Sequence, residues 1–308
     1  MSEIDLTDHE KKRLAKEARE RVLTGYDALL EQPNITSPWD VNGDDALYIP
    51  DLELLSRIIT LPVQEHATTQ TGLLGLGLDA WFAQEFRRSG FNPDWIWPRP
   101  SNPRVIPTEI TNLLESLSRK RDTHLRATLE RHIRNTSSVA PRDANILGRA
   151  YVKQVDVAMS SWQTGPELLL STKSMSSSFG KNLANRFEEA YGDAGNLRAR
   201  YPLAAVGFAF VASAEILNEP AQVRKAVDMM YKLRDRGDGT GYTTTTLICF
   251  DTSPAGEAMI MLDAFPEDLG PGPFMARMIE TILEAAPDSR HEEARRLRYP
   301  GSALTLDA

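Results

Sequence analysis

The stretch VDVAMSSWQTGPELLLSTK, from Val155 to Lys173, is the part of the sequence that indicates the fold most clearly. Two apolar runs flank a short polar turn, so the stretch predicts two neighbouring strands. Asp156 lies between two valines, where an aspartate is disfavoured in a strand, and Lys173 ends the second run. Because side chains alternate across a strand, Ser171 and Lys173 are expected on one face. Charges placed in this way mark either the surface or a functional site.

The elements around this stretch predict a mixed α/β protein, with a core sheet flanked by helices. Downstream we expect a helix, a buried strand, a second helix, two paired strands and a last helix. Upstream we expect helices at 5–31, 50–61 and 71–91, a turn-rich linker at 31–45, a proline-rich loop at 92–107 and one long helix at 108–135. The chain is thus expected to have a helical N-terminal region (1–70), an α/β core (71–290) and a polar C-terminal tail (291–308).

Composition limits the classes of protein. The chain has 308 residues, of which 41% are hydrophobic and 25% charged, as in globular proteins. It has no run of about 18 uncharged apolar residues, so no membrane span is expected. The N-terminus is charged throughout, unlike a secretory signal peptide. Cys249 is the one cysteine, which excludes an internal disulfide and fits a reducing cytoplasm.

Charge is unevenly distributed. The net charge of −8 argues against a protein that coats nucleic acid by charge. Between residues 119 and 153, however, the chain has nine Lys and Arg residues and only three acidic residues. This region is either a solvated helix face or a phosphate-facing surface. The candidate DNA contacts are Arg119, Lys120, Arg121, Arg126, Arg131 and Arg134.

A metal site near Lys173 needs more than one carboxylate, because divalent cations prefer several oxygen ligands. The helix after the second strand offers Glu188, beside its apolar stripe, and the neighbouring Glu189. We expect Asp156 and Glu188 to hold Mg²⁺ together with a scissile phosphate and waters. Lys173 would then orient the attacking water and offset developing charge.

Asp156, the triplet Ser171-Thr172-Lys173 and Glu188 together resemble the PD-(D/E)xK, or restriction-endonuclease-like, nucleases. In that family an Asp on one strand precedes a (D/E)-x-K triplet on the next. A subgroup of type II restriction enzymes has Ser/Thr-x-Lys and moves the missing Glu onto the following helix. Here Ser171 occupies the place of the usual acid, and fourteen residues separate Lys173 from Glu188.

The segment LDAWFAQEFRRSGF (78–91) is similar to the family's helix before the metal strands, which carries a Glu and ends near a glycine-aromatic pair. In this chain Glu85 takes the acidic position and Gly90-Phe91 the end. Glu85 is therefore a further candidate catalytic residue, and whether Glu188, Glu189 or Glu85 completes the metal site stays open.

The resemblance implies a Mg²⁺-dependent endonuclease that cuts double-stranded DNA, typical of type II restriction in defence against foreign DNA. Because each core would cut one strand, duplex cleavage favours a homodimer. The alternative is a non-catalytic DNA-binding or interaction protein on a decayed nuclease fold, with Ser171 marking the lost acid. Metal-dependent nicking would distinguish the two.

Overall fold

The computed structural model describes residues 7–31, 36–42, 45–66, 71–99, 104–119, 122–136, 143–234 and 239–300. The helices are α1 (Asp8–Leu30), α2 (Leu52–Gln64), α3 (Leu73–Arg88), α4 (Thr108–Arg119), α5 (Thr123–Arg134), α6 (Phe179–Arg198), α7 (Pro220–Leu233), α8 (Pro271–Ala285) and α9 (Glu292–Arg298). The strands are β1 (Trp39–Asn42), β2 (Asp45–Tyr48), β3 (Ile96–Trp97), β4 (Ala144–Leu147), β5 (Val152–Val155), β6 (Val157–Ser161), β7 (Gly165–Met175), β8 (Ala205–Ser213), β9 (Thr244–Thr252) and β10 (Ala258–Ile260).

A six-stranded mixed sheet forms the centre, in the order β10-β9-β8-β7-β6-β3. The predicted strand pair is the antiparallel hairpin of β6 and β7, with Val157 opposite Leu170. β7, β8 and β9 run parallel, and β3 and β10 are antiparallel edges. The apolar run of β8 is buried, as expected for a strand covered on both faces. The predicted mixed α/β class, with helices flanking a sheet, is confirmed.

Alternation along β7 divides the interior into two cores. Leu168 and Leu170 pack with residues of α2, α3 and α8, whereas Leu169 packs with residues of α6 and α7. Thr172 continues the first series, toward α3, and Ser171 continues the second, toward α6. Neighbouring residues at the end of β7 therefore reach different surroundings.

Two segments differ from the sequence expectations because turns and caps interrupt them. The expected long helix at 108–135 is wrong: α4 ends at Arg119, and Asp122 caps α5 by accepting a hydrogen bond from the Leu125 amide at 3.2 Å. The expected linker at 31–45 contains β1, which pairs with β2 and packs the Trp39 ring edge-on against Tyr48.

The chain that leads into the predicted strand pair is broken twice. β4 and β5 form a hairpin, and the chain bends at Asp156 before β6 begins. The expected polar tail contains α9, where Arg295 is buried and donates hydrogen bonds to the carbonyls of Leu283 and Ala286 at the end of α8. Across the described ranges, the helices are too short or too polar to span a bilayer.

Candidate active site

A pocket of about 270 Å³ opens beside the bend that carries Asp156. One wall comes from α1, and another from the segment that follows β3. Asp79 on α3 and Asp156 both line the pocket, together with Gln154 of β5. The bend thus faces a concave surface rather than bulk solvent.

Asp156 is fixed by β7, its neighbour in the sheet. Its amide donates to the Leu170 carbonyl at 3.1 Å, and its Oδ2 accepts from the Thr172 amide at 2.8 Å. Since the chain bends at Asp156, the ladder between β6 and β7 stops there. The carboxylate takes the place of the missing strand carbonyl, and this satisfies the Thr172 amide.

Lys173 reaches this carboxylate at the N-terminal end of β6. Its Nζ lies 3.8 Å from Asp156 Oδ2, and its side chain is 23% exposed. Burial raises the pKa of Asp156, while the Lys173 ammonium acts in the opposite direction. The predicted pair of Asp156 and Lys173 therefore comes together in the structure, within reach of solvent.

The second carboxylate near this pair is Asp79, which the sequence analysis did not select. Asp79 is 9% exposed, and its Oδ1 accepts a hydrogen bond from Thr172 Oγ1 at 2.5 Å. Burial and the negative charge of Asp156 raise the pKa of Asp79 well above its usual range. Thr172 thus links both acids, one through its amide and one through its hydroxyl.

The position of Asp79 within the apolar stripe of α3 is the signal that could have revealed it. Phe82, Ala83 and Phe86 follow it at helical spacings of three, four and seven residues, and all are buried. An acid in such a stripe points into the protein rather than to solvent. Within the segment identified from the sequence, Asp79 rather than Glu85 therefore lies beside Asp156.

Glu85 lies in a different cluster. Its Oε2 accepts from Tyr48 Oη at 3.0 Å and from the Asp51 amide at 3.2 Å, and Oε1 lies 3.3 Å from Arg88 Nη1. Burial raises the pKa of Glu85 to about 7, against the opposing effect of Arg88. Six residues along a helix rotate a side chain by about 120° and move it about 9 Å, so Glu85 faces β2 while Asp79 faces β7.

Glu188 and Glu189 are exposed on α6, between the buried Phe187 and Ala190. In the parts of the chain that are described, neither bonds to Asp156 or Lys173. The buried acid of this helix is Asp193, whose Oδ2 lies 2.5 Å from Lys153 Nζ. It also accepts a hydrogen bond from Tyr151 Oη at 3.0 Å, and its charge contributes to the raised pKa of Asp156.

Asp193 was also missed, and again the apolar stripe of the helix contains the signal. It falls three residues after the buried Ala190 and immediately before the buried Ala194, whereas Glu188 lies off this stripe. Ser171 is buried on the α6 side of β7, and within the described residues its Oγ has no hydrogen-bond partner.

Of the basic residues predicted to contact DNA, Arg119 lies on α4, and Arg126, Arg131 and Arg134 lie on α5. Neither helix lines the pocket. Arg119 and Arg131 are exposed, and Arg126 pairs with Glu130 at 2.8 Å. Lys120 and Arg121 lie outside the described residues, as does the side chain of Arg134. The arginines that do line the pocket are Arg19, Arg99 and Arg104.

Four carboxylates line the pocket, and Thr172 links two of them, Asp79 and Asp156. Of the others, Asp27 pairs with Arg104, and Asp143 accepts a hydrogen bond from Gln154. Within the described ranges, no three Asp, Glu, His or Cys residues converge to hold a metal by themselves. Mg²⁺ is commonly held by one or two carboxylates, with waters and substrate phosphates completing its coordination, so Asp79 and Asp156 fit this ion. Two acids held close together in a poorly solvated place repel each other, and a divalent cation relieves this repulsion.

Comparison with protein-family models, with curated proteins and with solved structures found no match for this chain.

Proposed function

We propose that this chain is a Mg²⁺-dependent deoxyribonuclease with a restriction-endonuclease-like core. The observation that carries the proposal is that Asp156 and a second buried acid, Asp79, line one pocket, with the Lys173 ammonium 3.8 Å from Asp156. The order of elements supports it as well. Asp156 immediately precedes β6, the triplet lies on the neighbouring β7, and the preceding α3 supplies an acid and ends before Gly90-Phe91.

In this proposal each residue has a distinct role. Asp79 and Asp156 would hold Mg²⁺, which when bound polarises a phosphodiester and activates water. Thr172 holds the two carboxylates at a fixed separation through its hydroxyl and its amide. The Lys173 ammonium offsets negative charge that develops on the phosphate and positions the attacking water.

Cleavage of supercoiled plasmid tests the proposal. We expect the parent protein to nick or linearise the plasmid with Mg²⁺ and not with chelator. Lys173→Ala should slow cleavage by about a hundredfold or more, since one stabilising charge is lost from the transition state. Glu188→Gln, which removes a charge at an exposed position of α6, should leave the rate unchanged. A Lys173→Ala protein that cuts as fast as the parent would refute the assignment.

The biological role proposed is type II-like restriction of foreign DNA in the cytoplasm. The buried thiol of Cys249 is consistent with a reducing compartment. Cutting both strands of a duplex with one such pocket per chain favours a homodimer. Plasmids with and without base methylation, with the fragment ends sequenced, would test the restriction role, and light scattering of the purified protein would test the dimer.

The second candidate function is a DNA-binding or interaction protein on a decayed nuclease fold. Ser171 favours it, because a buried hydroxyl stands where the resemblance calls for an acid. This protein would bind DNA with strong salt dependence and without nicking in Mg²⁺ or Mn²⁺. Mg²⁺-dependent nicking that Asp156→Asn abolishes would exclude it.

A further inference from the structure

Three arginines lie close together at the segment that follows β3. Arg99 and Arg104 line the pocket that contains Asp79 and Asp156, and Arg87 lies behind this segment near the end of α3. The Arg99 amide donates to the Arg104 carbonyl at 2.8 Å, and Arg104 Nη1 donates to the Arg99 carbonyl at 2.9 Å. Arg87 Nη2 donates to the carbonyls of Ile96, at 3.0 Å, and of Pro98.

Two of these arginines have a carboxylate partner, and the third has none among the described residues. Asp94 lies 3.4 Å from Arg99 Nη2, and Asp27 pairs with Arg104. In the described part of the chain, Arg87 forms no ion pair and bonds to carbonyls. Burial, followed by the charges of Arg99 and Arg104, lowers the pKa of Arg87 to about 9. An anion between such groups would relieve their mutual repulsion.

Several guanidinium donors are also left without acceptors. Among the described residues, Arg87 Nε, Arg87 Nη1 and Arg99 Nε are buried and have no hydrogen-bond partner. Buried donors are normally satisfied, and exceptions often coincide with ligand sites. The planar fork of a guanidinium matches the oxygens of a phosphate group, so phosphate is the ligand class that Arg99 fits. Arg87 lines a different pocket and contributes its charge rather than its donors.

The place of the cluster identifies which phosphate it would bind. Arg99 and Arg104 line the same pocket as the two carboxylates, so an anion bound there lies in the same cavity as the proposed cleavage position. The basic residues of α4 and α5 do not line this pocket. A nucleic-acid strand that enters the pocket would therefore contact the arginines after β3, whether or not α4 and α5 also contact nucleic acid.

We propose that Arg99 and Arg104, backed by the positive charge of Arg87, form a phosphate-binding site for the nucleic-acid strand held at Asp79 and Asp156. The identity of the strand rests on the proposed nuclease function, whereas recognition of a phosphate group does not. Arg99 binds the phosphate directly, and Arg87 is a positioning residue that holds the segment through the carbonyls of Ile96 and Pro98.

The test measures binding of a short fluorescent DNA duplex at several salt concentrations, with chelator present and Asp156→Asn as background. Arg99→Gln should weaken binding by about tenfold and lower the slope of log affinity against log salt by about one. Arg200→Gln, the same charge change at an exposed arginine outside the pocket, should change neither. Arg99→Lys keeps the charge and its pairing with Asp94, and should give an intermediate affinity.

Two sets of results distinguish failure of the phosphate site from failure of the nuclease function. If the parent protein cuts DNA and Arg99→Gln binds it with unchanged affinity and slope, the phosphate site is refuted and the nuclease is not. If the parent neither binds nor cuts DNA, inorganic phosphate is the probe. Thermal stabilisation of the parent but not of Arg99→Gln would then support the anion site, and no stabilisation of the parent would refute it.

Discussion

Asp79 and Glu85 lie six residues apart on α3, and burial raises the pKa of both carboxyl groups. Their surroundings differ. Glu85 is fully buried and bonded to Tyr48, the Asp51 amide and Arg88. Asp79 lines a pocket, accepts one hydrogen bond from Thr172 and lies near a second negative charge.

Burial of an acid therefore does not by itself indicate a catalytic or ligand-binding role. A carboxylate enclosed by donors and a cation contributes to the fold and has little capacity left for a ligand. A carboxylate beside a like charge and an open cavity retains that capacity, at the expense of stability. Four measurements should distinguish the two acids.

Cleavage should respond to Asp79 and not to Glu85. Asp79→Asn removes one of the two charges that hold the cation, so we expect plasmid cleavage to slow by about a thousandfold, or about 4 kcal/mol of activation free energy. Glu85→Gln, the matched change on the same helix, should stay within a few-fold of the parent. Equal losses in both variants would show that α3 supplies only a scaffold for the pocket.

Stability should respond in the reverse order. Glu85→Ala removes one acceptor of the buried Tyr48 hydroxyl and the carboxylate that pairs with Arg88, so the free energy of unfolding should fall by about 3 kcal/mol. Asp79→Asn removes repulsion from Asp156 and should leave this free energy unchanged or raise it by about 1 kcal/mol. Urea denaturation measures both, and a loss in Asp79→Asn as large as that in Glu85→Ala would contradict the comparison.

The pH dependence of stability should report Glu85. Its pKa of about 7 in the folded protein exceeds the usual 4.5, so the folded state binds a proton that the unfolded state releases between these values. The stabilisation is therefore complete below about pH 4.5 and is lost as the pH rises through about 7. Over this window the parent should lose about 2 kcal/mol more than Glu85→Gln, which cannot titrate. Equal losses in urea titrations of the two proteins would exclude this role.

Cation binding without DNA should give the smallest difference. Mg²⁺ at about ten times its Kd should raise the free energy of unfolding of the parent by about 1.4 kcal/mol. Glu85→Gln should show the same rise relative to its own metal-free state, and Asp79→Asn should show none. Calorimetric unfolding with and without Mg²⁺ measures this rise, and a response retained in Asp79→Asn would place the cation elsewhere.

The sequence was informative where hydrophobic pattern and chemistry coincide. The apolar runs around Asp156 and Lys173 predicted the two neighbouring strands, which form the β6–β7 hairpin, and assigned both residues to one site. In the structure the two side chains lie 3.8 Å apart. The mixed α/β class followed from the order of helices and strands.

Tertiary contacts decided the rest. Asp79 meets Thr172 across ninety-three residues of sequence, and Asp193 meets Lys153 across the surface of the sheet, so no local pattern pairs them. Glu85 looked more like a catalytic acid than Asp79, because the resemblance favoured a Glu near the end of α3. The arginines after β3 lie in a proline-rich segment whose path cannot be read from periodicity.

The two hydrogen bonds that Thr172 donates to the acids of the pocket depend differently on its side chain. The bond to Asp156 comes from the main chain, so nearly any residue at this position would preserve it. The bond to Asp79 needs a side-chain hydroxyl. Substitution of Thr172 by valine or alanine would thus keep the bend of the chain intact yet leave Asp79 without this anchor. The proposed activity could be lost in this way while the architecture survives.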